Sequence, residues 1–321
     1  MLARRLFSAV ILIVLSLTLI WLDLRNQENG RAGLWTLPML AFFALGTVWE
    51  FSTLLARRWS VNPKVVLFSS IASLIVALFP IWYSALKGVS YPADCPVGRL
   101  GWILFGMMTG VGCAAIYALK TFGGRPGDFQ PNEPGETESA EKARLEQQTR
   151  TTLGWLLSSM VICYVISGVM VWQAIRMRGE TQGIYELIAL LTIIKSADAG
   201  AYFAGKTFGR TKLIPSVSPG KTVEGLVGGC AVAILVSYIF FRSVLPQLGV
   251  PSGPYVWGPA LMGFSLTLVG LVGDLLESMV KRSVAAKDSG NLLPGLGGVW
   301  DVTDSALPAA FVSYLGLLAH L

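Results

Sequence analysis

The sequence predicts an all-helical (all-α), polytopic integral membrane protein with about nine transmembrane helices and a cytoplasmic N-terminus. Three observations carry that expectation. The 321 residues are 53% hydrophobic and only 14% charged, with a mean hydropathy of +0.60, which leaves too little charge to cover a soluble domain of this size. The apolar residues are grouped into runs of about 20, the length that crosses a hydrocarbon core as a helix. Lys and Arg are shared unequally between the loops that separate those runs.

The runs fall at 6–24, 34–56, 64–84, 99–119, 152–174, 184–205, 223–245, 257–276 and 300–320. They are continuous rather than alternating, which argues against β-barrel strands. The first follows Met1-Leu2-Ala3-Arg4-Arg5 and is like a signal peptide in outline. No small-x-small cleavage site follows, and Asp23-Leu24-Arg25 closes the run. It therefore reads as an uncleaved first span that also anchors the chain. With the N-terminus inside, seventeen of the 25 Lys and Arg lie on cytoplasmic loops and seven on the opposite ones, with Lys195 inside a run. That asymmetry supports an N-inside, C-outside arrangement in the cell membrane.

The net charge of +6 accompanies no dense basic stripe and no interleaved aromatic pattern. No nucleic-acid partner is expected; the surplus reflects topology and contact with membrane lipids. The four cysteines are far apart with no C-x-x-C pair, so they read as small buried hydrophobes rather than as a zinc site or disulfide framework. Three regions follow: 1–119, an N-terminal membrane region of about four spans; 120–151, a polar cytoplasmic linker; and 152–321, a C-terminal catalytic membrane region of about five spans. Within the linker, 123–150 is rich in Gly, Pro, Glu, Gln and Thr. Such a composition cannot bury enough surface to fold alone, and a mobile segment without chemistry is expected.

The informative residues are ionisable groups inside or beside apolar runs. Each costs a few kcal/mol or more at the bilayer centre, so such groups usually line a wet cavity. In the sixth run Lys195, Asp198 and Tyr202 are spaced i, i+3, i+7 on one helix face. They fit either a self-neutralising Lys195–Asp198 pair or the polar wall of a substrate cavity. The following loop contains Ser218-Pro219-Gly220-Lys221-Thr222 just before a helix begins. Two hydroxyls and an ammonium at a helix N-terminus suit phosphate, although a plain capping turn fits as well. The loop is not a Walker A motif, and no strand is expected before it.

At the end of the eighth run Asp274, Glu277, Ser278 and Lys281 share a helix face. The ninth run opens with Asp301, Asp304 and Ser305 on one face. Carboxylates delivered from separate helices near a phosphate-suited loop make a divalent-cation site, with magnesium the cation that combines carboxylates with phosphates and water. Each Asp alone is equally compatible with a helix cap or a surface charge.

At these residues the sequence resembles the phosphatidate cytidylyltransferase (CDP-diacylglycerol synthase) family. The family's C-terminal signature is met by Ser278, Lys281, Arg282, Lys287, Asp288, Gly290, Leu293, Pro294, Gly295, Gly297, Gly298, Asp301 and Asp304. Upstream, Asp198 with Gly200-Ala201-Tyr202, Gly205, Gly209, the Ser218–Thr222 loop with Glu224-Gly225, and Gly273-Asp274 with Glu277 also resemble the family. The likeness is close over 195–305 and generic before it. Leu296 stands where the family usually has His and Val302 where it usually has Arg; neither departure touches the carboxylates or the loop.

The resemblance implies transfer of a cytidylyl group from CTP to phosphatidate, giving CDP-diacylglycerol and pyrophosphate for phospholipid biosynthesis, with the site facing the cytoplasm. It implies Mg2+, leaving a second cation open, and a homodimer. Asp274 and Asp301 are expected on the metal, with Asp304 and Asp198 as further ligands or their supports. Ser218, Lys221 and Thr222 are expected on the CTP phosphates. Lys281 and Arg282 are expected on the lipid phosphate or pyrophosphate, with Lys287 in the substrate-binding set. Alternative readings are another CTP-dependent membrane lipid enzyme, such as a polyprenol or phytol kinase or a CDP-archaeol synthase, or a transporter whose interior charges line an ion path.

Overall fold

The computed structural model describes residues 2–26, 32–89, 91–92, 95–122, 138–179, 181–295 and 297–321. In chain order these form α1 (Leu2–Arg25), α2 (Leu37–Ala56), α3 (Pro63–Ala77), α4 (Phe79–Lys87), α5 (Gly98–Phe122), α6 (Glu138–Arg176) and α7 (Gln182–Phe208). A hairpin of β1 (Lys212–Ile214) and β2 (Ser218–Thr222) follows, then α8 (Val223–Ile239), a π-helical turn (Phe240–Val244) and the short α9 (Leu245–Gln247). The chain closes with α10 (Gly258–Ser283), α11 (Trp300–Thr303) and α12 (Ala306–Leu318).

Proline stands in the first turn of α2, α3, α4 and α10, where its missing N–H has no helical partner to lose. Asn62 caps α3 by accepting from the backbone N–H of Lys64 and Val65. Pro80 also explains why the third run is not one straight helix. A ring at that position removes an interior hydrogen bond, and the axis bends by 51° between α3 and α4.

Among the described residues, six helices are long and apolar enough to cross a membrane, or seven if the bent α3–α4 pair is one span. This count covers the described residues by length and composition alone, and the nine spans expected from run lengths are not reproduced in full. The first run forms the 24-residue α1, only part of which that count covers. The ninth is broken at Asp304-Ser305 into a single-turn α11 and a 13-residue α12, about 20 Å at 1.5 Å per residue and short of a hydrocarbon core. Run length alone cannot see such a break.

Two further expectations change. The polar stretch before the fifth run is helical from Glu138 onward and continuous with the membrane segment of α6. Its Ala, Glu, Lys, Arg, Leu and Gln are good helix formers, and extending an existing helix avoids the nucleation cost. Residues 123–137 of the expected linker lie outside the described residues. The cysteines are unbridged, and none is fully buried; Cys113 faces outward on α5.

The helices pack around two cores. One gathers α2, α3, α5 and α6 from Val161 to Met170, with Trp300 and Leu307 added from the far end of the chain. The other gathers the end of α6 with α7, α8, α10 and α12. The α7–α8 contact relies on small residues, as is usual where apolar tails cannot drive helices together. A Cβ at Gly228 would lie 2.2 Å from that of Ala204, so the close approach requires glycine there. This pairing fixes the hairpin, which connects the two helices, over the end of α10.

Candidate active site

The hairpin is the first surprise, because the Pro- and Gly-containing loop was not expected to form strands. Lys212 pairs with Thr222 and Ile214 with Ser218 across an antiparallel ladder. Its base is pinned by Glu224, whose carboxylate accepts from the N–H groups of Arg210 and Thr211, each at 3.1 Å. The Thr222 hydroxyl accepts from Gly225 N–H at 3.1 Å and caps α8. Thr222 is thus buried and engaged, while Ser218 and Lys221 remain at the surface of the cavity below.

That cavity is a cleft of about 590 Å3 between α7, the hairpin, α8, α10 and the α11–α12 break. It is lined by Asp198, Ser218, Lys221, Thr222, Asp274, Asp301 and Asp304, among others. Seven of the ten site residues expected from sequence are therefore brought together. Arg282 and Lys287 are exposed and do not line it. Lys281 does not line it either, but its Nζ lies 3.1 Å from Glu277 Oε1 and 2.7 Å from Asp301 Oδ1. Leu296 lies outside the described residues. The Val302 side chain plays no part in the polar contacts; its carbonyl accepts from Lys195 Nζ at 3.1 Å.

Lys195 reaches across the cleft. Besides Val302 it lies 3.0 Å from the Ser305 hydroxyl and 3.4 Å from Asp198 Oδ2, so it faces Asp198 and also lines the cavity. On the opposite side Lys221 Nζ lies 2.8 Å from Asp274 Oδ2.

The acidic cluster differs in membership from the one expected. Asp274, Glu277 and Asp304 each offer a carboxylate oxygen within 4.8 Å of the others. Asp301 stands beside them with both oxygens engaged. Oδ1 faces Lys281, and Oδ2 accepts from Gly298 N–H at 2.7 Å, Ser289 N–H at 3.0 Å and the Ser289 hydroxyl at 2.9 Å. Glu277 was on the helix face read from sequence but received no ligand role there.

Asp301 and Asp304 precede α12, outside the membrane-crossing helices. Burial alone would raise Asp301, but its contacts with Glu277 and Lys281 and the Gly298 N–H prevail and hold it down to about 2. Burial, then the neighbouring Asp274 carboxylate, push Asp304 up to about 6. Asp304 makes no ion pair among the described residues. Three buried or half-buried carboxylates so close repel one another, and hard oxygen donors in this spacing suit a single oxygen-preferring divalent cation.

Relatives with known names match part of the chain. Over 128 residues it is 43% identical to phosphatidate cytidylyltransferase of Bacillus subtilis, covering 40% of this chain and 45% of that one. The enzyme of the same name from Haemophilus influenzae is 38% identical over 133 residues, 41% and 46% of the two chains. That from Brucella suis is 41% identical over 136 residues, 42% and 48%. The aligned stretch spans a little under half the length of these relatives. The profile of the Cytidylyltransferase family, by contrast, matches residues 3–319, and the chain belongs to that family.

Proposed function

We propose that this chain transfers the cytidylyl group of CTP to phosphatidate, producing CDP-diacylglycerol and pyrophosphate. One observation carries the reading: a single cleft joins the Ser218–Lys221 hairpin to the carboxylates of α10 and the α11–α12 break. The shared names of the three relatives support the choice of substrates.

The chemistry asks little of a protein nucleophile. The phosphate monoester of the lipid is largely dianionic near neutral pH. Its oxygen can form the new bond to the α-phosphorus of CTP while the bond from that phosphorus to the bridging oxygen of the β-phosphate breaks. The protein must hold two anions together and neutralise the departing pyrophosphate. Lys221, Ser218 and the N-terminus of the 17-residue α8 are placed to hold triphosphate oxygens. Lys281, steered by Glu277 and Asp301, supplies positive charge beside them.

The donor set fits magnesium, which Asp274, Glu277 and Asp304 would hold; bound there it supplies charge neutralisation and alignment of phosphate oxygens. Asp198 is the remaining cleft carboxylate to which a second cation could bind, since both oxygens of Asp301 are engaged. The six or seven apolar helices place the chain in a membrane. The Lys and Arg bias favours the cell membrane with the N-terminus and the cleft on the cytoplasmic side, since Lys206, Arg210, Lys212 and Lys221 surround the hairpin. A homodimer rests on the family resemblance alone.

Purified protein with labelled CTP, phosphatidate and magnesium should yield CDP-diacylglycerol and pyrophosphate, and a chelator should abolish both. Release of CDP with another lipid acceptor would instead identify a kinase. Turnover that ignores the chelator would remove the metal from the scheme.

A further inference from the structure

We infer that Glu50, in the N-terminal membrane region, is a positioning residue for the cleft, holding the 284–299 loop and α11 in register; this rests on the proposed transferase reading. Glu50 is 3% exposed within the apolar α2, a costly place for a carboxyl group. It makes no ion pair among the described residues. Its partners all belong to the far end of the chain. Oε2 accepts from the backbone N–H of Trp300 at 3.0 Å and lies 2.9 Å from the Ser289 hydroxyl, whose one proton it shares with Asp301.

Both partners lead into the site. The Ser289 hydroxyl lies equally close, 2.9 Å, to Asp301 Oδ2, and Ser289 N–H donates to the same oxygen. Asp301 then holds Lys281. Trp300 N–H is at the start of the single-turn helix that carries Asp301 and ends at Asp304. The rest of that face of α2 clasps the same turn: Thr47 meets the Thr303 hydroxyl at 2.9 Å, and Phe51 stacks on Trp300 with centroids 3.8 Å apart.

The loop is shaped around this carboxyl group. A Cβ on Gly290 would lie 2.3 Å from Glu50 Oε1, and its three nearest atoms would all be Glu50's. A Cβ on Gly298 would lie 2.3 Å from Oε2 and 1.9 Å from Ser289 Oγ. Two glycines of the loop are thus required by one acid some 240 residues earlier in the chain. A four-residue helix cannot hold its own place, since helix formation at that length is unfavourable. Glu50 supplies the hold.

Displacing catalytic groups by about 1 Å costs up to roughly 100-fold in rate. Accordingly, Glu50→Ala should lower kcat by about that factor with KM for CTP within about threefold of wild type, because the hairpin is untouched. Glu50→Gln keeps an acceptor oxygen and should recover kcat to within about tenfold. Gly290→Ala removes nothing yet displaces Glu50, and should lower kcat about tenfold; combined with Glu50→Ala it should cost almost nothing more, since the clash has gone.

A second measurement needs no substrate. Tryptic cleavage after Lys287, followed by mass spectrometry, reports opening of the loop and should run about tenfold faster in Glu50→Ala and Gly290→Ala than in wild type. Unchanged kcat in both variants, or unchanged cleavage, overturns the inference. If Glu50→Ala fails to fold, Gly290→Ala and Glu50→Gln decide by the same two readouts. Wild-type protein without CTP-dependent turnover would defeat the proposed reaction, while the cleavage rates would still judge the role of Glu50 in holding the loop.

Discussion

Two charged clusters lie inside this helical bundle, and they are built on opposite principles. Where α6 gives way to α7, Arg176 pairs with Asp23 of α1, and both side chains are 0% exposed. Asp23 also accepts from Gly33 N–H at 3.2 Å and Trp35 N–H at 3.1 Å. One acid meets one base, and the spare oxygen capacity is taken by backbone. Beyond the middle of α7, the Lys221–Asp274 pair is 20% and 38% exposed, and Asp274 crowds two further carboxylates. The first cluster ties α1, the turn after it and α6 together and is closed to solvent. The second has more acid than its cations neutralise and opens onto a cleft. Charge inside an apolar bundle marks function only when it is both unbalanced and reachable.

The largest effect should come from breaking the open cluster. Asp274→Asn is expected to lower turnover about 1,000-fold, the range seen when a main electrostatic contributor is removed. Thermal unfolding in detergent should shift little, since Asp274 is partly exposed. A variant with near-normal turnover would show that the cluster does not hold the reacting anions. Next comes the closed pair. Arg176→Leu alone should cost about 3–5 kcal/mol of stability by leaving Asp23 buried without its cation. The double variant Asp23→Leu, Arg176→Leu should regain most of that loss, with kcat per folded molecule unchanged. If the double variant is as unstable as the single one, the pair does more than lock helices.

Lys221 comes next. Among the described residues its ammonium bridges the hairpin and the acidic cluster, so Lys221→Met should raise KM for CTP about 30-fold, the worth of a charged hydrogen bond, with a smaller change in kcat. Steady-state kinetics over a wide CTP range would separate the two. A fall in kcat alone would move Lys221 from holding the substrate to the chemical step.

The sequence makes the open cluster far more legible than the rest. Acids at Asp274, Asp301 and Asp304 recur at helical spacing beside Lys281, and spacing is a local property that can be read off directly. Glu277 was visible on the same face, although no ligand role was read for it. Glu50 meets the criterion of an ionisable group inside an apolar run and was nonetheless passed over. It stands alone there, and its partners are 239 and 250 residues away in sequence, so no local spacing tells what it holds. The hairpin was hidden by Pro219 and Gly220, residues normally depleted in strands. The break at Asp304-Ser305 lies inside an apolar run, and its stability depends on contacts from α2 and Lys195 that only the folded chain supplies.

The smallest expected effect tests where legibility failed in the other direction. Arg282 and Lys287 fit the family signature as well as Lys281 does, yet they are exposed and off the cleft. Arg282 follows Lys281 on α10, and neighbours on a helix point about 100° apart, so one residue facing the acids turns the next away. An exposed cation contributes only screened attraction, worth at most about 1 kcal/mol. Arg282→Gln and Lys287→Gln should therefore raise KM for phosphatidate about twofold to fivefold, leave KM for CTP alone, and lose even that difference at high salt. A loss comparable to that of Lys221→Met would mean that the bound state draws one of these side chains into the cleft, making the acidic cluster more nearly balanced in use than it is at rest.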